Sequence, residues 1–133
     1  MKVTFLGTGT STGIPTIGVK RESCLSSDKR DNRLRSSILI EYKSKSILID
    51  CGPDFRQQML RTNKTKIDAI FFTHEHADHT AGLDDIRPIS FHHGKIPIYA
   101  HKRVVDNLKN RFDYLFDKKG DYCLLYTSDA ADE

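Results

Sequence analysis

The sequence predicts an α/β fold, and three observations predict it. Short runs of β-branched residues alternate with stretches whose apolar residues recur at helical spacing, and turn-forming residues separate the two kinds of segment. Strands that alternate with helices are typical of a sheet flanked by helices. The chain has 133 residues, of which 38% are hydrophobic and 29% are charged, which suits one domain with its own core.

The first half of the chain contains three predicted strands and a helix. Residues 2–6, KVTFL, predict a strand that a Gly- and Thr-rich loop follows. The runs SILIEY at 37–42 and SILID at 46–50 are separated by a short polar turn, which predicts a β-hairpin. Pro53 follows the second run and predicts the start of a helix over 54–61, because proline suits the first helical turn.

The second half continues the alternation. The runs IDAIFFT at 67–73 and IPIYA at 96–100 predict two more strands, with a short helix between Asp78 and Gly82. Residues 101–116 place their apolar side chains on one face of a helix. Residues 117–133 continue no recognisable pattern. We therefore place one domain at 1–116 and interpret 117–133 as a non-native or disordered tail.

Charge and cysteine content narrow the function classes. The net charge of +3 is small and the basic residues are dispersed, which does not favour a nucleic-acid surface. Cys24, Cys51 and Cys123 show no paired spacing, which fits a reducing compartment. No apolar run approaches the roughly 20 residues that span a bilayer. The sequence predicts a cytoplasmic protein without a membrane segment.

A cluster of imidazoles and carboxylates follows the strand predicted at 67–73. His74, His76, Asp78 and His79 have the spacing H-x-H-x-D-H, and both side-chain types are good ligands for zinc-like ions. In an extended segment, residues i and i+2 face the same side, so His74 and His76 are predicted to share one ion. Asp78 and His79 follow in a turn or helix start and can face a second ion. Glu75 is predicted to point away as a surface residue. The alternative, a solvated polar strand end, accounts poorly for three histidines at this spacing.

With H-E-H-A-D-H after a buried strand, the chain resembles the metallo-β-lactamase fold superfamily. The segments LGTGTSTGIP and SILIDCG resemble that superfamily's first loop and its strand ending in Asp-x-Gly. The branch that it most resembles holds the phosphodiesterase of the carbon–phosphorus lyase pathway, a cyclic-phosphate hydrolase; tRNA 3′-processing endonucleases are similar more distantly. The likeness covers residues 1–116.

The resemblance implies a fold and a set of metal ligands. The fold is the N-terminal half of a four-layer αββα sandwich, with a mixed sheet flanked by helices. His74 and His76 are implied ligands of a first metal, and Asp78 and His79 of a second. Asp50, at the end of its strand, is expected to orient the metal-binding loop from behind. The cofactors are expected to be two divalent ions, zinc first, with manganese or iron as alternatives.

The activity implied is that of a metal-dependent hydrolase, a phosphodiesterase whose nucleophile is a hydroxide held by the two metals. Asp78, besides binding metal, is the candidate catalytic residue that holds the nucleophile's proton. The expected partner is a small phosphodiester; nucleic acid is not favoured, and a homodimer is compatible with the sequence. Two alternatives remain open: a thioester or other ester hydrolase of the same fold, and a non-catalytic metal-binding module.

The chain also departs from the superfamily's pattern. The superfamily needs a further His, a bridging Asp and a last His from its C-terminal half, and no residue here matches them. We therefore expect a truncated domain that is inactive on its own. Three histidines are predicted to lie in loops or at helix starts: His92, His93 and His101. Asp84, Asp85 and Arg87 are predicted to form a solvated turn.

Overall fold

A computed structural model describes residues 1–116 and 125–127. The strands are β1 (Lys2–Gly7), β2 (Ser37–Tyr42), β3 (Lys45–Ile49), β4 (Ala69–Phe71), β5 (Ile96–Tyr99) and β6 (Leu125–Thr127). The helices are α1 (Glu22–Leu25), α2 (Phe55–Thr62), α3 (Ala77–Thr80), α4 (Arg87–His93), α5 (Lys102–Arg111) and α6 (Asp113–Phe116), with 3-10 turns at Lys29–Asp31 and Leu83–Ile86. Within the described part, every helix is too short or too polar to cross a bilayer.

All the strands join one six-stranded sheet in the order β1-β2-β3-β4-β5-β6. β1, β2 and β3 pair antiparallel, whereas β3, β4, β5 and β6 run parallel to one another. The predicted hairpin is present, and its turn passes through Lys43 with φ of 53°. The mixed sheet with helices confirms the predicted fold class.

One face of the sheet carries the hydrophobic core. Leu39, Leu48, Ile70 and Ile98 stand in the middle of four successive strands and are almost fully buried. The helices and the 3-10 turn cover them with apolar side chains: Phe55, Met59, Leu83, Ile86, Val104, Leu108 and Leu115. The predicted face of the long C-terminal helix thus packs on the sheet. This layer holds the strand ends in a fixed arrangement at the sheet edge.

The opposite face of the sheet is apolar but only half-covered. A row of paired positions crosses five strands: Phe5, Ile38, Ile49, Phe71 and Tyr99. Phe71 and Tyr99 stack with ring centroids 4.7 Å apart, yet Phe5 remains 67% exposed and Phe71 40% exposed. Strands that are apolar on both faces are typical of sheets buried between two layers. The described part therefore has the character of one half of a sandwich.

The long C-terminal helix that the sequence predicts over 101–116 is interrupted. Helix α5 ends at Arg111, and Phe112 leaves helical geometry with φ of −130° and ψ of 41°. Phe112 thereby packs against the core. Helix α6 begins at Asp113, whose side chain accepts a hydrogen bond from the Tyr114 amide at 2.7 Å. The helix predicted at 54–61 begins instead at Phe55, because Arg35 holds the Asp54 carboxylate at 3.0 Å in a turn before it.

Asp84 and Asp85 lie in a turn, but the predictions of a solvated turn at Arg87 and of a loop or helix start at His92 and His93 were wrong. Arg87, His92 and His93 belong to helix α4, which follows the 3-10 turn Leu83–Ile86 directly. Pro88 lies in its first turn, and Gly94 ends it with φ of 86°. This pairing of an early proline with a terminal glycine is a recognised helix signal. His101 does lie at a helix start, where its Nδ1 accepts a hydrogen bond from the Arg103 amide.

The interpretation of 117–133 as a tail concerns residues that are mostly outside the described part of the chain. Within that stretch, Leu125–Thr127 form β6 and pair in parallel with Ile96–Ile98. The non-native origin of the stretch stays a prediction.

Candidate metal centre

The H-x-H-x-D-H segment lies at the carboxyl end of β4. The backbone leaves the strand after Phe71, stays extended at His76 with ψ of 150°, and enters α3 at Ala77. Asp50 follows β3, whose last residue Ile49 pairs with Phe71. Because parallel strands bring their carboxyl ends to one edge, Asp50 and the histidine segment meet there. This edge is where open α/β sheets place their sites.

The structure brings the four predicted ligands close together. The ring centroids of His74 and His79 are 4.0 Å apart, and those of His74 and His76 are 4.7 Å apart. Nε2 of His79 lies 3.2 Å from Oδ2 of Asp78. His76 is exposed and the other three are half-buried. The rings of His74 and His76 are therefore neighbours, with their planes at 75° to each other.

The carboxylate of Asp50 organises this segment from underneath. Its Oδ1 accepts a hydrogen bond from the Thr73 amide at 2.8 Å, and its Oδ2 accepts one from the Thr73 hydroxyl at 2.8 Å. The same Oδ2 lies 2.7 Å from Nδ1 of His79. Asp50 is 5% exposed, and its φ of 59° lies in the left-handed region that Asn and Asp tolerate better than most residues. Asp50 does not cap the helix that follows; all three of these contacts reach Thr73 or His79.

These contacts define how two of the rings present their nitrogens. A carboxylate only accepts hydrogen bonds, so His79 donates from Nδ1, and its ring in the neutral form carries the lone pair on Nε2. The Thr73 hydroxyl has one hydrogen, which Asp50 accepts, so the oxygen accepts from Nδ1 of His74, 2.9 Å away. His74 therefore also keeps its lone pair on Nε2. This is how a carboxylate or hydroxyl behind a metal-binding histidine orients the ring.

The candidate ligands are of the types that bind divalent cations, but they are too few to complete a site. Imidazole Nε2 and carboxylate oxygen are the ligands that zinc takes in hydrolases, which use at least three protein ligands for each ion. Across residues 1–116 and 125–127, no group of three or more His, Cys, Asp or Glu is placed to hold an ion by itself. His74, His76, Asp78 and His79 would therefore supply only part of the coordination of each ion.

The turn after β3 packs tightly under the start of α3. The Cys51 amide donates to the His79 carbonyl at 2.7 Å, and the Gly82 amide donates to the Cys51 carbonyl at 2.9 Å. A Cβ on Gly52 would collide with the carbonyl oxygen of Asp78, so only glycine fits there. Burial, together with the carboxylates of Asp85 and Asp50, raises the pKa of the Cys51 thiol well above its ordinary value. Cys51 is thus a neutral core residue.

Further side chains hold the segment from the other side. Glu75, predicted as a surface residue, is half-buried and accepts a hydrogen bond from Arg103 at 3.1 Å. Arg111 donates to the Glu75 carbonyl and to the Thr80 hydroxyl, each at 3.0 Å. The two arginines lie 28 and 36 positions beyond Glu75, and no local pattern links them to it. The contact of Thr73 with His74 could have been predicted from the sequence, because Thr73 directly precedes that histidine.

A separate groove lies between α2 and α4. It encloses about 730 Å³ and is lined by apolar residues such as Met59 and Ile89 with basic residues such as Arg56 and His92 at its rim. None of the four predicted ligands borders it. This groove and the histidine segment are therefore different places.

Comparison with known proteins places the chain in the superfamily that its motifs resemble. The Beta-lactamase superfamily domain matches residues 45–129. The chain is 46% identical over 119 residues to a protein of Porphyromonas gingivalis named octanoyltransferase, covering 89% of this chain and 24% of that protein. It is 35% identical over 104 residues to ribonuclease Z of Methanosarcina acetivorans, covering 76% of this chain and 29% of that protein. The chain thus spans 24% of the first of these relatives and 29% of the second.

Solved structures show the same fold. A diphosphatase from the PhnP family superposes with a TM-score of 0.88 and 44% identity, over 98% of this chain and 50% of that one. The short form of human tRNase Z superposes with a TM-score of 0.65 and 26% identity, over 96% of this chain and 44% of that one. Zn²⁺-bound PqqB from Methylobacterium extorquens shares the fold, with a TM-score of 0.76 at 20% identity. The chain belongs to the beta-lactamase superfamily and has the metallo-β-lactamase fold.

Proposed function

We propose that this chain supplies the first half of the active site of a metal-dependent phosphodiesterase. The observation that carries the proposal is the arrangement of four donor side chains above one buried carboxylate, Asp50. The relatives named diphosphatase and ribonuclease Z support hydrolysis at phosphorus, because both names describe cleavage of bonds to phosphorus. A cytoplasmic location and a small phosphodiester substrate belong to the same proposal.

The residues of this chain would hold two divalent ions, with zinc expected. His74 and His76 contribute to one ion and Asp78 and His79 to the other. When bound, such ions act as Lewis acids that make water more acidic and offset the charge of a phosphate. Asp50 keeps the Nε2 lone pair of His79 available directly, and that of His74 through Thr73. These contacts orient the two rings before any ion arrives.

Asp78 has a further role in the proposal. Its carboxylate lies beside Nε2 of His79 and is 20% exposed, so it faces both the donor cluster and solvent. A carboxylate in that position can accept the proton of an attacking water or hold it by a hydrogen bond. Asp78 is thus the residue of this chain that both positions and deprotonates the nucleophile.

The described residues alone do not complete either coordination sphere. We therefore expect residues 1–133 by themselves to bind zinc weakly and to hydrolyse little or no bis-p-nitrophenyl phosphate. The natural coding sequence, extended through a C-terminal half like that of the diphosphatase relative, is expected to hydrolyse this diester and to lose the activity on chelation.

A substrate panel on the extended protein tests the proposal against its alternatives. The phosphodiester, a glutathione thioester and a carboxylic ester are compared after loading with zinc, manganese or iron. Asp78→Asn should abolish hydrolysis of the diester, whereas Asp106→Asn, an exposed carboxylate on α5, should not change it. Preference for the thioester would favour an ester hydrolase. Metal uptake without any hydrolysis would favour a non-catalytic metal-binding module.

A further inference from the structure

The carbonyl groups inside the metal-binding segment are held by helix α5. Arg111, the last residue of that helix, donates from Nη1 to the Glu75 carbonyl and to the Thr80 hydroxyl, each at 3.0 Å. The Thr80 hydroxyl in turn donates to the His76 carbonyl at 2.9 Å. The Arg111 guanidinium therefore contacts the main chain at Glu75, which lies between His74 and His76. Through the Thr80 hydroxyl it is also connected to the His76 carbonyl.

The Thr80 hydroxyl is the buried part of this connection. Thr80 is 0% exposed, so its hydroxyl has no access to bulk water. The His76 carbonyl also accepts from the His79 amide at 3.0 Å, which closes the first turn of α3. A hydrogen bond to a charged donor is stronger than one between neutral groups. The orientation of the peptide planes between His74 and His79 is thus tied to the end of α5.

Two more contacts join the same helices to this segment. Arg103, near the start of α5, binds the Glu75 carboxylate at 3.1 Å. Beyond the segment, the Tyr114 hydroxyl of α6 donates to Asp84 at 2.9 Å. Helices α5 and α6 therefore contact the segment at its middle and just after its end. Asp50 holds it from the opposite side, through Thr73 and His79.

We propose that Arg111 is a positioning residue for the metal centre: by holding the Glu75 carbonyl and the Thr80 hydroxyl, it sets the directions in which His74 and His76 present their nitrogens. The inference rests on the proposed function for the identity of the ligand, a divalent cation. It adds a residue from a helix that carries none of the ligands and lies outside the H-x-H-x-D-H motif. In this proposal Arg111 acts through the Glu75 carbonyl and the Thr80 hydroxyl and not by contact with the ion or the substrate.

Arg111→Gln tests the proposal, with Lys109→Gln as the matched control. Lys109 lies on the same helix, is exposed, and loses the same charge. Zinc is titrated into each 133-residue chain, and binding is followed through the ring NMR signals of His74, His76 and His79. Arg111→Gln should weaken zinc binding about tenfold, as partners behind metal ligands do, and the control should not weaken it. Arg111→Lys, which keeps one charged donor, should recover part of the affinity.

Hydrogen exchange of the His79 and Ala81 amides, measured without metal, shows whether the hydrogen bonds of α3 open more often in a variant. Thr80→Val and Thr80→Ser form a second pair that removes or keeps the hydroxyl, should Arg111→Gln not fold. The expected result is faster exchange and weaker zinc binding in Arg111→Gln and Thr80→Val alone. Unchanged zinc affinity in both variants, whether or not exchange is faster, would overturn the inference.

The outcome with the wild-type chain separates this inference from the proposed function. If the wild type binds zinc and the extended protein hydrolyses no phosphodiester, the proposed function fails while the role of Arg111 is still decided by the affinities. If the wild type binds no zinc, manganese or iron at millimolar concentration, the metal centre itself is wrong and the role of Arg111 fails with it.

Discussion

Nδ1 of His79 lies 2.7 Å from Oδ2 of Asp50, and this contact joins the end of one strand to the helix that follows its parallel neighbour. It makes Asp50 the residue on which the geometry of the candidate metal centre depends most. Because Asp50 is 5% exposed and has a positive φ, few substitutions can test it without disturbing the backbone.

Asp50→Asn is the substitution that keeps the backbone and the shape. Asn tolerates the left-handed region and can still accept from the Thr73 amide, but its NH₂ group cannot accept from His79. We expect zinc affinity to fall roughly 10- to 100-fold, the range found when partners of metal-binding histidines are removed. Zinc titration followed through the histidine ring signals measures it, with Asp106→Asn as control. Equal affinities for Asp50→Asn and the wild type would contradict the assigned role.

Thr73→Val and Thr73→Ser distinguish the effect of the Thr73 hydroxyl from the effect of its branched shape. Valine keeps the branched shape but cannot connect Asp50 to Nδ1 of His74, whereas serine keeps the oxygen. Nitrogen-15 NMR should show His74 protonated on Nδ1 in the wild type and in Thr73→Ser, and a mixture of tautomers in Thr73→Val. The His79 ring, which Asp50 contacts directly, should not change. A His74 ring that is insensitive to both variants would refute this connection.

Asp68 provides a pH-dependent contribution to stability. Burial by itself raises its pKa, but the Ser46 amide and the ammonium groups of Lys66 and Lys45 outweigh it, so the pKa lies below its ordinary value. A lowered carboxyl pKa stabilises the fold above the unfolded-state pKa of about 3.9, and this stability is lost as pH falls through the folded-state value. Asp68→Asn should therefore be less stable than the wild type at pH 6.

Urea unfolding of the wild type and of Asp68→Asn between pH 6 and pH 2 checks the direction of this pH dependence. The difference in the free energy of unfolding should stay constant down to about pH 5 and shrink below it. Asp31→Asn, at a carboxyl group that makes no ion pair with a lysine among residues 1–116, serves as the control. A difference that grows on acidification would contradict the prediction.

The half-covered sheet face should make the chain associate. Phe5 is 67% exposed on edge strand β1, at one end of the apolar row. Phe5→Thr keeps strand propensity and removes the ring, so it should reduce binding of an apolar dye and raise the concentration at which light scattering appears. Leu60→Gln, at a residue 66% exposed on helix α2, removes a similar apolar group from the other side and should have little effect. Equal effects of the two variants would mean that the sheet face is not the associating surface.

The strands and the closeness of the four candidate donor side chains could be predicted because their signals are local. Alternating β-branched residues give β2 and β3, and the H-x-H-x-D-H spacing alone places the donor side chains together. Helix α4 was missed because RPISFHH shows no apolar periodicity, although Pro88 and Gly94 mark its ends. Arg111 could not be found, because only the packing of α5 on the sheet brings it to Glu75. Contacts between distant segments depend on the fold as a whole, which no local pattern encodes.

The position of Asp50 also bears on the order of folding events. Its contacts with Thr73 and His79 span 23 and 29 residues of sequence. Because contacts of such separation form only after the intervening chain has closed, the histidine segment should gain its shape after β3 and β4 have paired. A divalent cation added to the unfolded chain should therefore find no preformed site and should not start folding, in contrast to small domains that assemble around zinc.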